Sequence, residues 1–168
     1  IGNDLVNLGR AAGLNSGQLY STGLQRIREL YGEDLSYYWP GIVEMGVASG
    51  KSSSWVFTDG LPGVQKLFGD DLSLYWSDLV ELGTAVGVDA GWLFKRGLPA
   101  VGDLIGDKAS FKSLCKDLTE LYNATNDKGG WLFLDGLPAL KNLFGNDLSR
   151  YWPDLVEMGV TVGEESIW

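Results

Sequence analysis

The stretch Leu61-Pro-Gly-Val-Gln-Lys-Leu-Phe-Gly-Asp-Asp-Leu-Ser-Leu-Tyr-Trp-Ser-Asp-Leu-Val-Glu-Leu-Gly83 returns with few changes as Leu137-Pro-Ala-Leu-Lys-Asn-Leu-Phe-Gly-Asn-Asp-Leu-Ser-Arg-Tyr-Trp-Pro-Asp-Leu-Val-Glu-Met-Gly159. Working outward, Gly23, Gly60 and Gly97 recur every 37 residues, and Gly136 follows after 39. Trp55, Trp92, Trp131 and Trp168 keep the same beat. Both series place two extra residues in the third full unit, between Gly106 and Cys115. A fixed period of this size is the mark of a stacked array, in which each unit covers its apolar face with its neighbours.

The phase predicts one repeat domain over residues 1–168: a half-unit at 1–13, units at about 14–50, 51–87, 88–126 and 127–163, and the start of another at 164–168. Ile1 falls where Tyr38 sits, within a helix, and Trp168 at the opening of a unit. Neither end reads as a polar cap, so the expectation is a piece of a longer protein, or ends that pair with another copy. The composition, 45% apolar and 12% aromatic, is that of a folded body with a core. No apolar run reaches the roughly 18–20 residues that a membrane helix requires.

Within a unit, Asp89 to Gly97 predicts a short helix with an Asp N-cap and a left-handed C-terminal glycine. Pro99 then suits the first turn of a second helix, expected to run to Ile105 and stop at Gly106. A longer helix is predicted from Leu72 to about Val86, capped by Asp71, burying Leu72, Tyr75, Trp76, Leu79, Val80, Gly83 and Val86 with Glu81 at the opposite pole. Pro40 and Pro153 sit early in two copies of this helix and predict a break after Trp39 and Trp152. The fold class is thus all-α: a right-handed α-solenoid of about four 37-residue repeats, with two long helices or three helical pieces in each.

Asp59-Gly-Leu-Pro-Gly-Val-Gln-Lys-Leu-Phe, Arg96-Gly-Leu-Pro-Ala-Val-Gly-Asp-Leu-Ile and Asp135-Gly-Leu-Pro-Ala-Leu-Lys-Asn-Leu-Phe resemble the entry into the second helix of an armadillo repeat. The resemblance, to the armadillo and HEAT-like α-solenoid family, is one of architecture. It implies that the last helix of each unit lines a concave ligand-binding surface. The unit is shorter than a usual armadillo repeat, and the Tyr-Trp pair is no part of that pattern.

Chemistry is bounded by absences. There is no His and one Cys, which removes Ser-His and Cys-His nucleophiles and His-ligated metals. Cys115 holds the position of Trp39, Trp76 and Trp152 and reads as a buried spacer. The acids recur with the repeat, as Asp34, Asp71 and Asp147 or as Glu44, Glu81, Glu120 and Glu157, whereas an active site is built once. No enzyme activity, cofactor or metal is expected. The Gly-x-Asp-Leu-Ser segments at Gly32, Gly69 and Gly145, with Glu33, Asp70 and Asn146 at the second place, read as helix caps rather than calcium turns, and Asn126-Asp127-Lys128-Gly129-Gly130 as a connector. The recurring aromatics, Trp55, Trp92 and Trp131 with Phe57, Phe94 and Phe133, and the pairs Tyr38-Trp39, Tyr75-Trp76 and Tyr151-Trp152, read as core between repeats.

The Glu row is the candidate site. Glu44, Glu81, Glu120 and Glu157 share one position of the long helix, and the first half-unit has Asn7 there. Helices stacked about 8–10 Å apart align such a position along one surface. Flanking columns vary as a recognition surface does: Tyr37, Leu74, Ser113 and Arg150 in one, Val47, Thr84, Asn123 and Val160 in the other. The third unit departs from its neighbours through the insertion, Cys115, Tyr122 in place of Gly, and a basic group of Lys95, Arg96, Lys108, Lys112, Lys116 and Lys128, which predicts a bend or a partner contact. The expected function is a protein- or peptide-binding scaffold favouring basic partners. The alternative is self-assembly through the repeat ends. A net charge of −9 argues against nucleic acid.

Overall fold

Glycine decides where most of the helices stop. The computed structural model describes residues 2–106, 108–125 and 129–163. The readings placed on Ile1, Asn126-Asp127-Lys128 and Trp168 lie outside the described residues. Helix α1 (Gly2–Ala12) is followed by α2 (residues 16–31), α3 (Leu35–Ser49), α4 (residues 53–68) and α5 (Leu72–Val86). Then come α6 (residues 90–100), α7 (Lys108–Ala124), α8 (residues 129–144) and α9 (Leu148–Val162). Gly69, after α4, has φ 54° and ψ −130°, and Gly87, after α5, has φ 61° and ψ −116°. An L side chain is strained in this backbone conformation, so glycine makes these turns at the least cost. A single 3-10 turn then carries it into the next helix.

All elements among the described residues are helical. The long helices pack in sequence, α1 on α3, α3 on α5, α5 on α7 and α7 on α9, and α2, α4, α6 and α8 form a second row in the same order. Between the rows lie Phe57, Phe94 and Phe133, all fully buried. Glycines in the long helices make room for the first two rings: a Cβ on Gly46 would stand 2.7 Å from Phe57 Cζ, and one on Gly83 2.7 Å from Phe94 Cζ. In the third unit Tyr122 replaces that glycine, and its ring stacks parallel on Phe133 at 6.0 Å. Each Tyr-Trp pair also packs its tyrosine on the end of the preceding helix, Tyr38 on Tyr31, Tyr75 on Phe68 and Tyr151 on Phe144.

Several expectations are corrected. The two short helical pieces of a unit form one helix, because the chain passes through a π turn at Leu19–Gly23, Val56–Gly60, Leu93–Gly97 and Leu132–Gly136 without leaving the helix. Gly97 is therefore right-handed, with φ −65°. Its small size is what matters: a Cβ would meet Phe133 Cβ at 3.3 Å. The first copy keeps the π turn with Leu24-Gln25 in place of Leu-Pro, so the shared element is the glycine and not the proline. The third copy ends early. Gly102 stands where Gln65 and Lys141 continue their helices, and α6 stops at Ala100 rather than reaching Ile105. The two inserted residues are absorbed by α7, which has 17 residues where α3, α5 and α9 have 15.

Pro40 and Pro153 do not break α3 and α9. Each lies on the exposed face, and the carbonyls deprived of a donor, on Ser36 and Ser149, belong to exposed residues that water can reach. Asp34, Asp71 and Asp147 do stand at helix N-caps, but none makes a side-chain cap hydrogen bond. Their contribution is the favourable placement of negative charge at a helix N-terminus.

A polar tie between units accompanies the apolar core. Trp39 Nε1 donates to Asp4 Oδ2 of the preceding unit at 2.9 Å, and Trp152 Nε1 donates to Asp117 Oδ2 at 2.8 Å. Trp76 has Gly41 at the corresponding place, where a Cβ would lie 2.9 Å from its Nε1. Trp152→Phe is expected to lower stability by about 1–2 kcal/mol, since a charged acceptor loses its donor but Asp117 is close enough to the surface to take up water. Chemical denaturation of the variant measures this.

Candidate functional site

The outward face of the long helices carries the Glu row because the opposite stripe is committed to the core. In α5, Leu72, Trp76, Leu79, Leu82, Gly83 and Val86 are buried, whereas Glu81 is exposed. Glu44, Glu120 and Glu157 are exposed in the same way. Between consecutive long helices run three grooves, each shared by two members of the row. Glu44 and Glu81 line the first, with Tyr37 and Thr84, in a groove of about 640 Å³. Glu81 and Glu120 line the second, with Lys112 and Lys116, and Glu120 and Glu157 the third, with Ser113 and Val160.

The expected flanking residues divide. Tyr37 stands at the groove wall, its ring edge-on to Tyr38 at 4.9 Å. Leu74, Arg150 and Asn123 are exposed on the same helices but line none of these three grooves. Arg150 lies over the ring of Tyr151, 5.6 Å from its centroid. The charge is mixed where the third unit enters: Lys116 pairs with Glu120 at 3.7 Å, an exposed i,i+4 contact of small energy.

The aromatic reading is corrected in one part. The phenylalanines are core, but Trp55 and Trp131 are 49% and 61% exposed, and Trp92 is half-buried. They lie on the second row of helices, where Trp55 stacks on Trp92 at 5.7 Å beside the Asp59–Lys95 ion pair. Trp and Phe are two residues apart at the start of α4, α6 and α8, which turns them to different faces. Helical spacing in the sequence could have separated them.

Sequence reasoning also missed Asp78. Asp4, Asp78 and Asp117 recur at the repeat beside the Trp39, Trp76 and Trp152 series, and that double recurrence was the available signal. Asp78 is 7% exposed and its Oδ2 has no hydrogen-bond partner. Cys115 packs against it, buried, with its thiol directed at the Asp78 carbonyl at 3.7 Å. Burial, with Asp78 and Glu81 nearby, pushes the thiol up to about 12. Because the folded value lies above the ordinary one, near 9, this group favours the fold below that pH and the contribution fades as pH rises towards 12. Alkylation of Cys115 at pH 8 is expected to be at least tenfold slower in the native protein than in denaturant, measured by the rate of thiol labelling.

Among the described residues no three His, Cys, Asp or Glu side chains are grouped to hold a metal ion. Nor, among the described residues, is any helix long and apolar enough to cross a membrane. Comparison with protein-family models, with curated proteins and with solved structures found no match.

Proposed function

We propose that the chain is a segment of an armadillo- or HEAT-like α-solenoid that binds basic peptide segments of other proteins along the Glu row, as a scaffold and without catalysis. The observation that carries this is the sharing of carboxylates: each of three successive grooves is lined by two members of the row. An extended cationic segment crossing the long helices meets one carboxylate per unit. Two helices in 37 residues and the sequential packing of each row support the solenoid, the two-helix unit being the HEAT pattern. The net charge of −9 supports attraction of cations over anions.

The test is a titration of the protein with a Lys/Arg-rich peptide at low and physiological salt, repeated on Glu81→Gln/Glu120→Gln. Affinity is expected to fall with salt and by about fivefold in the double variant. Equal affinity in both proteins removes the row from the binding surface.

A second reading, self-assembly, is favoured by one feature. Leu132, Leu137, Leu140, Leu155 and Met158 line an apolar groove of about 350 Å³ between α8 and α9. It predicts that the solution mass grows with concentration, read by light scattering after size exclusion.

A further inference from the structure

The third unit has lost the indole that would tie it to the unit before, and that unit has kept the carboxyl group that would receive it. In two units a tryptophan on the long helix donates its Nε1 to an aspartate of the unit before, Trp39 to Asp4 and Trp152 to Asp117. The same pair of positions in α7 and α5 is held by Cys115 and Asp78. The thiol is too short to restore the contact and reaches only the Asp78 backbone carbonyl. Asp78 Oδ2 is left buried without a partner, on a residue 7% exposed. A buried acceptor in this state is costly, and a native protein ordinarily supplies a donor.

Space accompanies the missing donor. A cleft of about 330 Å³ opens between α5 and α7, lined by Asp78, Glu81, Leu82, Cys115, Lys112 and Lys116 among others. That is the low end of the range for small-ligand sites, about 300–1,000 Å³, and suits one bicyclic ring. The units of Trp39 and Trp152 show the pose: an indole between two long helices, its edge N–H on the aspartate.

We propose that this cleft binds an indole-type aromatic ring with an N–H donor, which stands in the place of the absent tryptophan and donates to Asp78 Oδ2. The ring has two possible sources, a free small molecule or the tryptophan side chain of a partner. The cleft is the second of the three grooves that the Glu row borders, but the donor contact to Asp78 does not depend on cationic peptide binding.

Calorimetric titration of the unmodified protein with indole and with 1-methylindole tests the proposal without any variant. Indole is expected to bind and to slow thiol labelling of Cys115, with 1-methylindole at least tenfold weaker because it has no proton to donate. N-acetyltryptophanamide separates the sources. Binding comparable to indole assigns the site to a tryptophan side chain, and binding at least tenfold weaker assigns it to a free ring; either supports the proposal. Cys115→Trp is expected to supply the ring covalently, raise the melting temperature and abolish indole binding. The proposal is overturned if indole fails to bind up to its solubility limit, if 1-methylindole binds equally, or if a folded Cys115→Trp protein still binds indole as the parent does.

Discussion

Replacing Phe94 by alanine is expected to lower the stability of the chain by about 3–5 kcal/mol, the usual cost of removing a fully buried aromatic ring. The ring is wholly inaccessible and sits between the two rows of helices. Gly83 of α5 lies against its tip, and Gly60 of α4 against its base, with a Cβ there reaching Phe94 Cβ at 3.5 Å. Neither glycine has a side chain to swing into the void, and Met45, beside Gly83, is the flexible neighbour that could fill part of it. Against a total of about 5–15 kcal/mol for an ordinary domain, that loss is a large share. Urea denaturation followed by tryptophan fluorescence measures it. A loss below about 1 kcal/mol contradicts the placement of this ring at the centre of the packing. Trp55, half-exposed on the outer helices, provides the contrast. Its truncation removes a surface stack on Trp92 and is expected to cost far less.

The second large effect concerns binding. Converting Glu44, Glu81, Glu120 and Glu157 together to glutamine keeps size and polarity and removes four charges from an exposed face. At about 0.5 kcal/mol for each exposed pair, affinity for a Lys/Arg-rich peptide is expected to fall roughly thirtyfold, with a much flatter dependence on salt. Melting should be nearly unchanged, since none of the four side chains is buried. Single substitutions should each give a partial loss, larger for Glu81 and Glu120, which line two grooves each, than for Glu44 and Glu157, which line one. A loss confined to Glu120 would instead point to its local pairing with Lys116.

How far the sequence could be read depends on what each signal encodes. The period, the long helix from Leu72 to Val86 and the outward face of Glu81 were legible because apolar spacing reports which side of a helix is buried. The π turns were not, since a glycine before Leu-Pro suggests a helix end until the stacked neighbour is seen to need its missing Cβ. Pro40 and Pro153 misled for a related reason. Their cost depends on whether the freed carbonyl meets water, and that is a property of the assembled surface. The Trp55 and Trp131 faces were misassigned by counting aromatics as core without separating residues two apart on a helix. Asp78 was hidden because its significance is relational, arising from Trp39 and Trp152 in other units and from Cys115 in its own.

A crystal structure of the chain with a Lys/Arg-rich peptide of about ten residues tests the binding surface at atomic level. The peptide is expected to lie across α3, α5, α7 and α9, with a cationic side chain within hydrogen-bond reach of each successive member of the Glu row. A peptide seated on the Trp55–Trp92 edge, or held by carboxylates outside the row, would contradict it.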